Sequence, residues 1–391
     1  MRQTVSRRVR TPRAVISTTA ALAASGLLVA GCGGSGSADP SGGGGTTVKV
    51  TLTSDGCAPK PAKIGAGPVT FQVTNSGAAA VTEAELLRDG VIMGEKENLT
   101  PGLSGTFSLN LKAGKYQVYC PNAKTPRTAF TVTGAAAASS QSPKLRAAMK
   151  KAVTGYKTYV VGEVGKLVPA TTKFTDAVRD GDIATAKKLF ASTRTSYERI
   201  EPVAESFGDL DPRIDARVND VADKSKWTGF HRIEKALWKD KSLKGMKPVA
   251  DQLDGDVKAL KKKVEGATFQ PAQLANGATE LLNEVASSKI TGEEDRYSHT
   301  DLADFEANLD GARKAFDLLE PGLKQIDPAL ARQVRTQFGN VSDALAKHRG
   351  DYEDSGYVDY STVGDAQRRV LTQKVDALAE PLSKVAAKVS G

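Results

Sequence analysis

The sequence predicts a multidomain chain, with a β-sandwich followed by a larger all-α helical bundle. Three observations carry this expectation. The 391 residues exceed what one hydrophobic core usually serves. Apolar residues alternate with period two over residues 47–134, and over residues 144–391 they recur with a helical period.

The chain opens with the pattern of an export signal. Residues 1–31 combine five arginines with an apolar stretch that ends in small residues just before Cys32. Small residues before a cysteine are typical of a lipobox, so we expect cleavage and lipidation of Cys32, which would anchor the chain on the outer face of the cytoplasmic membrane. An uncleaved membrane helix is disfavoured because residues 14–30 would make a short, weakly apolar span. The export route stays open.

Removal of this segment changes the meaning of the net charge. The formal charge of +9 falls by five, to +4, because residues 1–31 contain five arginines and no acid. The remaining lysines are spread among acids, as on a solvated surface, so we expect no nucleic-acid partner. Residues 32–46 are rich in Gly and Ser and predict a flexible tether.

Short alternating runs, separated by Gly and Pro clusters, predict the strands of the β-sandwich. They occur at residues 48–53, 69–73, 107–111, 116–119 and 130–132. An Ala- and Ser-rich linker over residues 135–143 ends this pattern.

Capping residues mark several helix starts in the second domain. Asp182 precedes an amphipathic run, and Pro328 follows Asp327 as the first residue of another. Two smaller bundles packed together remain an alternative to a single bundle, although the sequence has no clean internal repeat.

Two pairs at helical spacing could bring metal ligands to one face. Glu198 and Glu201 lie three residues apart, as do His231 and Glu234. From the spacing alone, a solvated acidic face is the more common explanation of the first pair, and a core histidine explains the second equally well. Oxygen-rich ligands with one imidazole suit iron, zinc, manganese or calcium.

The His231 motif does not match a zinc peptidase. The inverted signature H-x-x-E-H requires a second histidine, and Lys235 stands in that position. The sequence also has neither a G-x-S-x-G motif nor a phosphate-binding loop, so we expect no enzymatic activity.

A third acidic segment lies between two helical stretches and has two interpretations. Its candidate metal ligands are Glu293, Glu294, Asp295 and His299. Alternatively, its residues Ser298, Thr300 and Asp301 cap the helix that begins near Leu302.

The β-domain has a strand ending at Cys120 before a Pro-containing loop, as in copper proteins of the cupredoxin type. A blue-copper centre also needs two histidines, and none occurs before His231. Cys57 and Cys120 could form a disulfide or bind metal. The acids of this domain could bind a metal in either case, and they are Glu83, Glu85, Glu95 and Glu97.

Three long motifs resemble the EfeO-type components of a bacterial iron transporter. They are YERIEPV at 197–203, GFHRIEKAL at 229–237 and KITGEEDRYSHTDL at 289–302. A weaker match in the β-domain includes Cys57, the run EKENLTPG at 95–102 and Cys120. The resemblance implies a cupredoxin-like domain joined to an imelysin-like helical domain, historically labelled a peptidase.

Carried over by position, the resemblance implies one metal site in the helical domain. Its ligands would be Glu198, Glu201, Asp215, His231, Glu234 and Asp295, with Glu294 as an alternative to Asp295. The resemblance also implies capture of iron, ferric or ferrous, for delivery to a membrane iron permease, with a haem-containing peroxidase as a further partner. Copper or zinc remain possible cargoes.

Three other functions stay open beside iron delivery. They are a copper carrier, a metal-dependent peptidase and a polysaccharide-binding protein, although an aromatic content of 6% is low for a sugar groove.

Overall fold

Strands come first along the chain and helices follow, as the hydrophobic periods predict. The computed structural model describes residues 46–135 and 141–390. The predicted signal peptide, Cys32, the tether up to residue 45 and residues 136–140 of the predicted linker lie outside the described residues.

The strands of the described β-region form two sheets. One sheet has the order β2-β1-β4-β7 and the other the order β3-β9-β8-β5-β6. The strands are β1 Thr46–Leu52, β2 Pro59–Lys60, β3 Lys63–Gly65, β4 Gly67–Asn75, β5 Ala84–Arg88, β6 Val91–Lys96, β7 Ser104–Leu111, β8 Gly114–Tyr119 and β9 Arg127–Thr133. Neighbours are antiparallel except β1 with β4 and β3 with β9.

Inward-facing residues of the two sheets share one core. Phe71 of β4 and Phe130 of β9 meet edge to face, with ring centroids 5.5 Å apart, and both are fully buried. This is the predicted β-sandwich.

Four of its strands lie outside the runs that the sequence predicted: the short strands β2 and β3, and the longer strands β5 and β6. In β5 four consecutive residues are buried, and β6 is half-exposed along most of its length, so neither alternates as a strand with one solvated face does. These strands carry Glu85 and Glu95, respectively.

The helical region begins at Pro143. Its α-helices are α1 Pro143–Asp180, α2 Ile183–Glu198, α3 Leu210–Asp215, α4 Phe230–Trp238, α5 Lys247–Gly266, α6 Pro271–Ser287, α7 Asp301–Ile326, α8 Pro328–Leu345 and α9 Asp365–Val389. The two predicted caps are present: Asp182 accepts a hydrogen bond from the Thr185 N–H, and Asp327 from the Leu330 N–H. No helix in the described part of the chain combines the length and apolar character that crossing a bilayer requires.

Polar contacts fix the β-sandwich on the helices. Lys96 of β6 and Glu280 of α6 form an ion pair of 2.6 Å. The Asn276 amide donates to the Ser108 carbonyl oxygen at 2.8 Å. These contacts hold β6 and β7 against α6, the helix that precedes the motif at residues 289–302.

Candidate metal centre

The predicted site residues of the helical region come from five segments that converge. Glu198 ends α2, Glu201 opens the 3-10 turn Glu201–Val203, and Asp215 ends α3. His231 and Glu234 lie in the first turns of α4. Asp295 comes from the segment between α6 and α7.

Two glycines permit the close approach of these segments. Gly229 has a φ of 87°, and a Cβ there would collide with the carbonyl oxygen of Ile214, so His231 can lie beside Asp215. A Cβ on Gly277 of α6 would collide with the carbonyl oxygen of Pro202, next to Glu201.

The His231 imidazole lies at the centre of the carboxylates. Its Nδ1 is 3.2 Å from Glu234 Oε2 and 3.9 Å from Asp295 Oδ1. Its Nε2 is 3.7 Å from both Asp215 Oδ1 and Glu294 Oε1. The side chain is only 2% exposed. Its surroundings are those of a metal ligand or a charged pair, and they differ from the apolar setting of a core histidine.

Several buried atoms in this cluster have no hydrogen-bond partner among the described residues. They include His231 Nε2, Asp295 Oδ1 and Asp304 Oδ1. Unsatisfied buried polar atoms are rare because each costs free energy, so their concentration here fits a site built to receive a cation.

Carboxylate and imidazole ligand atoms form overlapping cation-sized groups, in which the atoms lie close enough together to hold one metal ion. Ligand atoms of Asp215, His231 and Glu294 lie within 4.8 Å of one another, and so do those of His231, Glu234 and Asp295. Two further groups of this kind are Glu198 with Glu294 and Asp304, and Glu198 with Glu201 and Asp215. Glu294 and Asp295 both belong to the cluster, so the choice between them that the sequence posed does not arise in the structure.

The third motif also holds Glu234 in place. The Tyr297 and Ser298 N–H groups and the Ser298 hydroxyl all donate to Glu234 Oε1, at 2.8, 2.7 and 3.0 Å. The Thr300 hydroxyl donates to Asp295 Oδ2 at 2.5 Å. Ser298 and Thr300 therefore orient carboxylates, and their predicted role in capping α7 is wrong, since α7 begins at Asp301 without a side-chain cap from Thr300.

Glu293 and His299 stay apart from this cluster. Glu293 accepts a hydrogen bond from the Asn219 amide, and its side chain is 41% exposed. Neither residue belongs to a cation-sized group among the described residues.

A fully buried arginine balances the acids. The Arg194 guanidinium donates to Glu198 at 2.5 Å, to Glu294 at 3.0 Å and to Asp304 at 3.0 Å, and it also bonds Asp215. It lies between the rings of Phe190 and Phe230, 5.7 and 5.6 Å from their centroids.

A buried lysine supplies a second positive charge to the cluster. Lys289 Nζ lies 2.5 Å from Glu201 Oε1, 3.3 Å from Glu198 Oε2 and 3.3 Å from Glu294 Oε1, and its side chain is 1% exposed. The Asn308 amide donates to Glu198 Oε2 and Glu201 Oε2 from the other side.

Charge and burial oppose each other in setting the pKa values. Burial and the nearby Arg194 charge lower the pKa of His231, but Asp215, Glu234 and Glu294 outweigh them and raise it to about 9. Burial raises the pKa of Asp215 to about 6 against the opposing effect of Arg194. Burial likewise raises the pKa of Glu294, but the Lys289 charge and contacts with His231 and Arg217 reverse this and hold it well below its usual range.

A cleft of about 810 Å³ connects the cluster with the β-sandwich. Its walls include Glu201, Asp215, Lys289 and Glu294 on the helical side. On the sandwich side they include the predicted acids Glu83, Glu85, Glu95 and Glu97. A cation in this cleft would meet carboxylates from both regions.

The acids of the β-sandwich form their own group on the sandwich side of the cleft. Ligand atoms of Glu95 and Glu97 lie within 4.8 Å of each other and of Glu205, which the sequence did not single out. Burial raises the pKa of Glu85 to about 8 and that of Glu95 to about 7, with neighbouring carboxylates adding to the effect for both groups.

Cys57 and Cys120 form a disulfide, with Cα atoms 6.3 Å apart. The bond uses both sulfur atoms, so the structure corrects the prediction that their thiolates ligate metal. The disulfide was the other alternative that the sequence left open.

Arg194, Lys289 and Asp304 are central to the cluster, and motif reading missed all three. Arg194 lies four residues before Glu198, and Asp304 lies three after Asp301 on one face of α7. For Arg194 and Asp304, helical spacing from an acid of the predicted motifs was therefore the available signal.

Comparisons with known proteins agree with both regions. The imelysin family matches residues 152–385, and the cupredoxin-like domain family matches residues 23–132. The proteins named iron uptake system component EfeO from Escherichia coli K12, Escherichia coli O157:H7 and Shigella flexneri are each 43% identical over 341 residues, covering 86% of this chain and 90% of the relative.

A solved structure is more distant. It is the crystal structure of an iron-regulated protein A precursor from Parabacteroides distasonis ATCC 8503, with 17% identity and a TM-score of 0.49, covering 64% of this chain and 97% of that one.

Proposed function

Because the chain belongs to the imelysin family and is related along most of its length to EfeO iron uptake components, we propose that it captures iron outside the cytoplasm and delivers it to a membrane permease. Its relatives are named as uptake components and not as enzymes, and the proposal assigns it no catalytic step.

The observation that carries the proposal is the buried cluster around His231. One imidazole and several carboxylates are the ligand types that iron accepts, and they converge from five segments with unsatisfied atoms directed among them. The proposed ligands are Glu198, Glu201, Asp215, His231, Glu234 and Asp295, together with Glu294. The abundance of carboxylate oxygen favours ferric iron, the harder of the two ions.

A second element of the proposal concerns the acids of the β-sandwich. Glu83, Glu85, Glu95 and Glu97 line the same cleft as Glu201 and Asp215. We propose that they receive the metal first and that the helical cluster then holds it. Copper or zinc binding at these acids remains part of the hypothesis, with carboxylates as the ligands in place of the two cysteines.

The location and partners are also proposed. Lipidation of Cys32 would hold the protein at the outer face of the cytoplasmic membrane, beside an iron permease and a haem-containing peroxidase. The disulfide supports an oxidising compartment, because reducing conditions in the cytoplasm disfavour such bonds.

Metal titration tests the proposal. Protein starting at residue 33 would be titrated with ferric iron, ferrous iron, zinc and copper, beside a Glu198→Ala, His231→Ala double variant. A Glu380→Ala variant, which alters a surface ion pair on α9, is the matched control. We expect iron binding that the double variant loses and the control keeps. Equal binding by all three proteins would show that the helical cluster is not the site.

A further inference from the structure

Lys289 occupies a position that a bound cation would need. Its ammonium lies among oxygens of Glu198, Glu201 and Glu294, at 3.3, 2.5 and 3.3 Å. Glu294 Oε1 is also the oxygen that lies 3.7 Å from His231 Nε2. A metal ion bound to these oxygens and the ammonium repel each other at such distances, so both cannot hold the same oxygens.

The two buried cations of the cluster differ in how they are held. Arg194 bonds four carboxylates and is packed between Phe190 and Phe230, and it does not line the cleft. Lys289 belongs to the three-residue 3-10 turn Lys289–Thr291, and it does line the cleft. A lysine carries its charge on a flexible four-carbon stem, so rotation about its side-chain bonds is the motion by which it would move from the acids into the cleft.

We propose that Lys289 is a displaceable internal cation, which neutralises the ligand carboxylates until a metal ion arrives through the cleft and replaces it. This inference rests on the proposed function, because it takes the helical cluster to be the metal site. Lys289 is a positioning and specificity-determining residue in this account, and it is not itself a ligand.

The exchange explains how a buried acidic site could release its cargo. Without Lys289, Glu201 would lose its ammonium partner, and Glu198 and Glu294 would each lose one counter-charge but keep Arg194. An empty site of this kind would bind a metal ion more tightly, because the ion would supply the missing positive charge. With Lys289 present, each metal ion must displace charge-assisted hydrogen bonds, which weakens binding. The ammonium then returns when the metal leaves.

The direct test is chemical labelling of Lys289 in the unaltered protein. The protein would be acetylated with N-acetoxysuccinimide, with and without saturating zinc or ferric iron, and each lysine quantified by peptide mass spectrometry. We expect Lys289 to be protected without metal and labelled several-fold faster with it. Lys262, exposed on α5, is the internal control and should react equally in both states.

A Lys289→Met variant provides the second measurement. Without the competing ammonium, its metal affinity should rise by about tenfold or more, whereas a Lys262→Met control should match the unaltered protein. The labelling experiment needs no variant, so it decides the question even if Lys289→Met fails to fold.

The outcomes separate the two claims. This inference alone would be overturned if the protein binds metal but the labelling rate of Lys289 does not change. It would also be overturned if Lys289→Met binds metal with unchanged or weaker affinity. An unaltered protein that binds neither metal would overturn the proposed function, and this inference with it.

Discussion

Replacing Arg194 by methionine is the sharpest test of how the cluster is held together. The guanidinium is fully buried and bonds Glu198, Asp215, Glu294 and Asp304. Methionine keeps much of the length and the contact with the two phenyl rings, but it leaves four buried carboxyl groups without their shared counter-charge. Removing one partner of a buried ion pair costs about 3–5 kcal/mol, so we expect a loss of that size in the free energy of unfolding.

The assay is urea unfolding followed by far-ultraviolet circular dichroism, which reports on the helices. Arg335→Met is the matched control, because Arg335 also binds two acids, Asp317 and Glu320, but its side chain is 56% exposed. Because Arg335 is exposed and Glu320 keeps its ion pair with Lys324, the control should lose about 1 kcal/mol at most.

Bound metal should also compensate for the lost arginine. Zinc should raise the midpoint of unfolding more in Arg194→Met than in the unaltered protein, because the cation replaces a missing positive charge. A stability loss for Arg194→Met no larger than for Arg335→Met would refute the view that buried charge balance maintains this cluster.

Three further predictions follow from the same geometry. His231, with a pKa of about 9, is protonated at neutral pH, and a metal ligand must be neutral, so zinc affinity should rise by about tenfold per pH unit between about pH 6.5 and 8.5. A flat pH profile would contradict the combination of a raised pKa and ligation by His231. Gly229→Ala should weaken metal binding, because the new Cβ collides with the Ile214 carbonyl oxygen and moves His231. Calorimetric titration would measure the loss of affinity, and an unchanged affinity would argue against this close packing. A Cys57→Ser, Cys120→Ser variant should lose about 4 kcal/mol of unfolding free energy, because the disulfide joins residues 63 positions apart. It should still bind metal at the helical site, and loss of that binding would make the two cysteines candidate ligands again.

The sequence predicted the order of the two regions because their hydrophobic periods differ clearly. Strands with one solvated face, such as β4 and β8, were found from alternation, and helix starts were found from Asp182 and Asp327. Strands β5 and β6 were missed because neither alternates: successive residues of β5 are buried on both faces, and those of β6 are half-exposed on both faces.

The candidate site was only partly accessible to sequence reasoning. The pairs Glu198–Glu201 and His231–Glu234 follow from helical spacing, which is local. Their convergence with Asp295 is tertiary, and only the resemblance to the family supplied it. Lys289 lies within the third motif, but its role in the cluster could not be predicted, because a lysine beside acids normally indicates a solvated surface. Only its burial in the folded protein reveals that role.

Locating bound iron by anomalous X-ray scattering tests the central claim most directly. Crystals of the protein lacking residues 1–32 would be soaked with ferric iron and measured on both sides of the iron absorption edge. The account predicts an anomalous peak in the buried helical cluster, near His231 and the Glu294 oxygen that lies close to both His231 and Lys289. A peak confined to Glu95, Glu97 and Glu205 in the cleft, or no peak near His231, would contradict it.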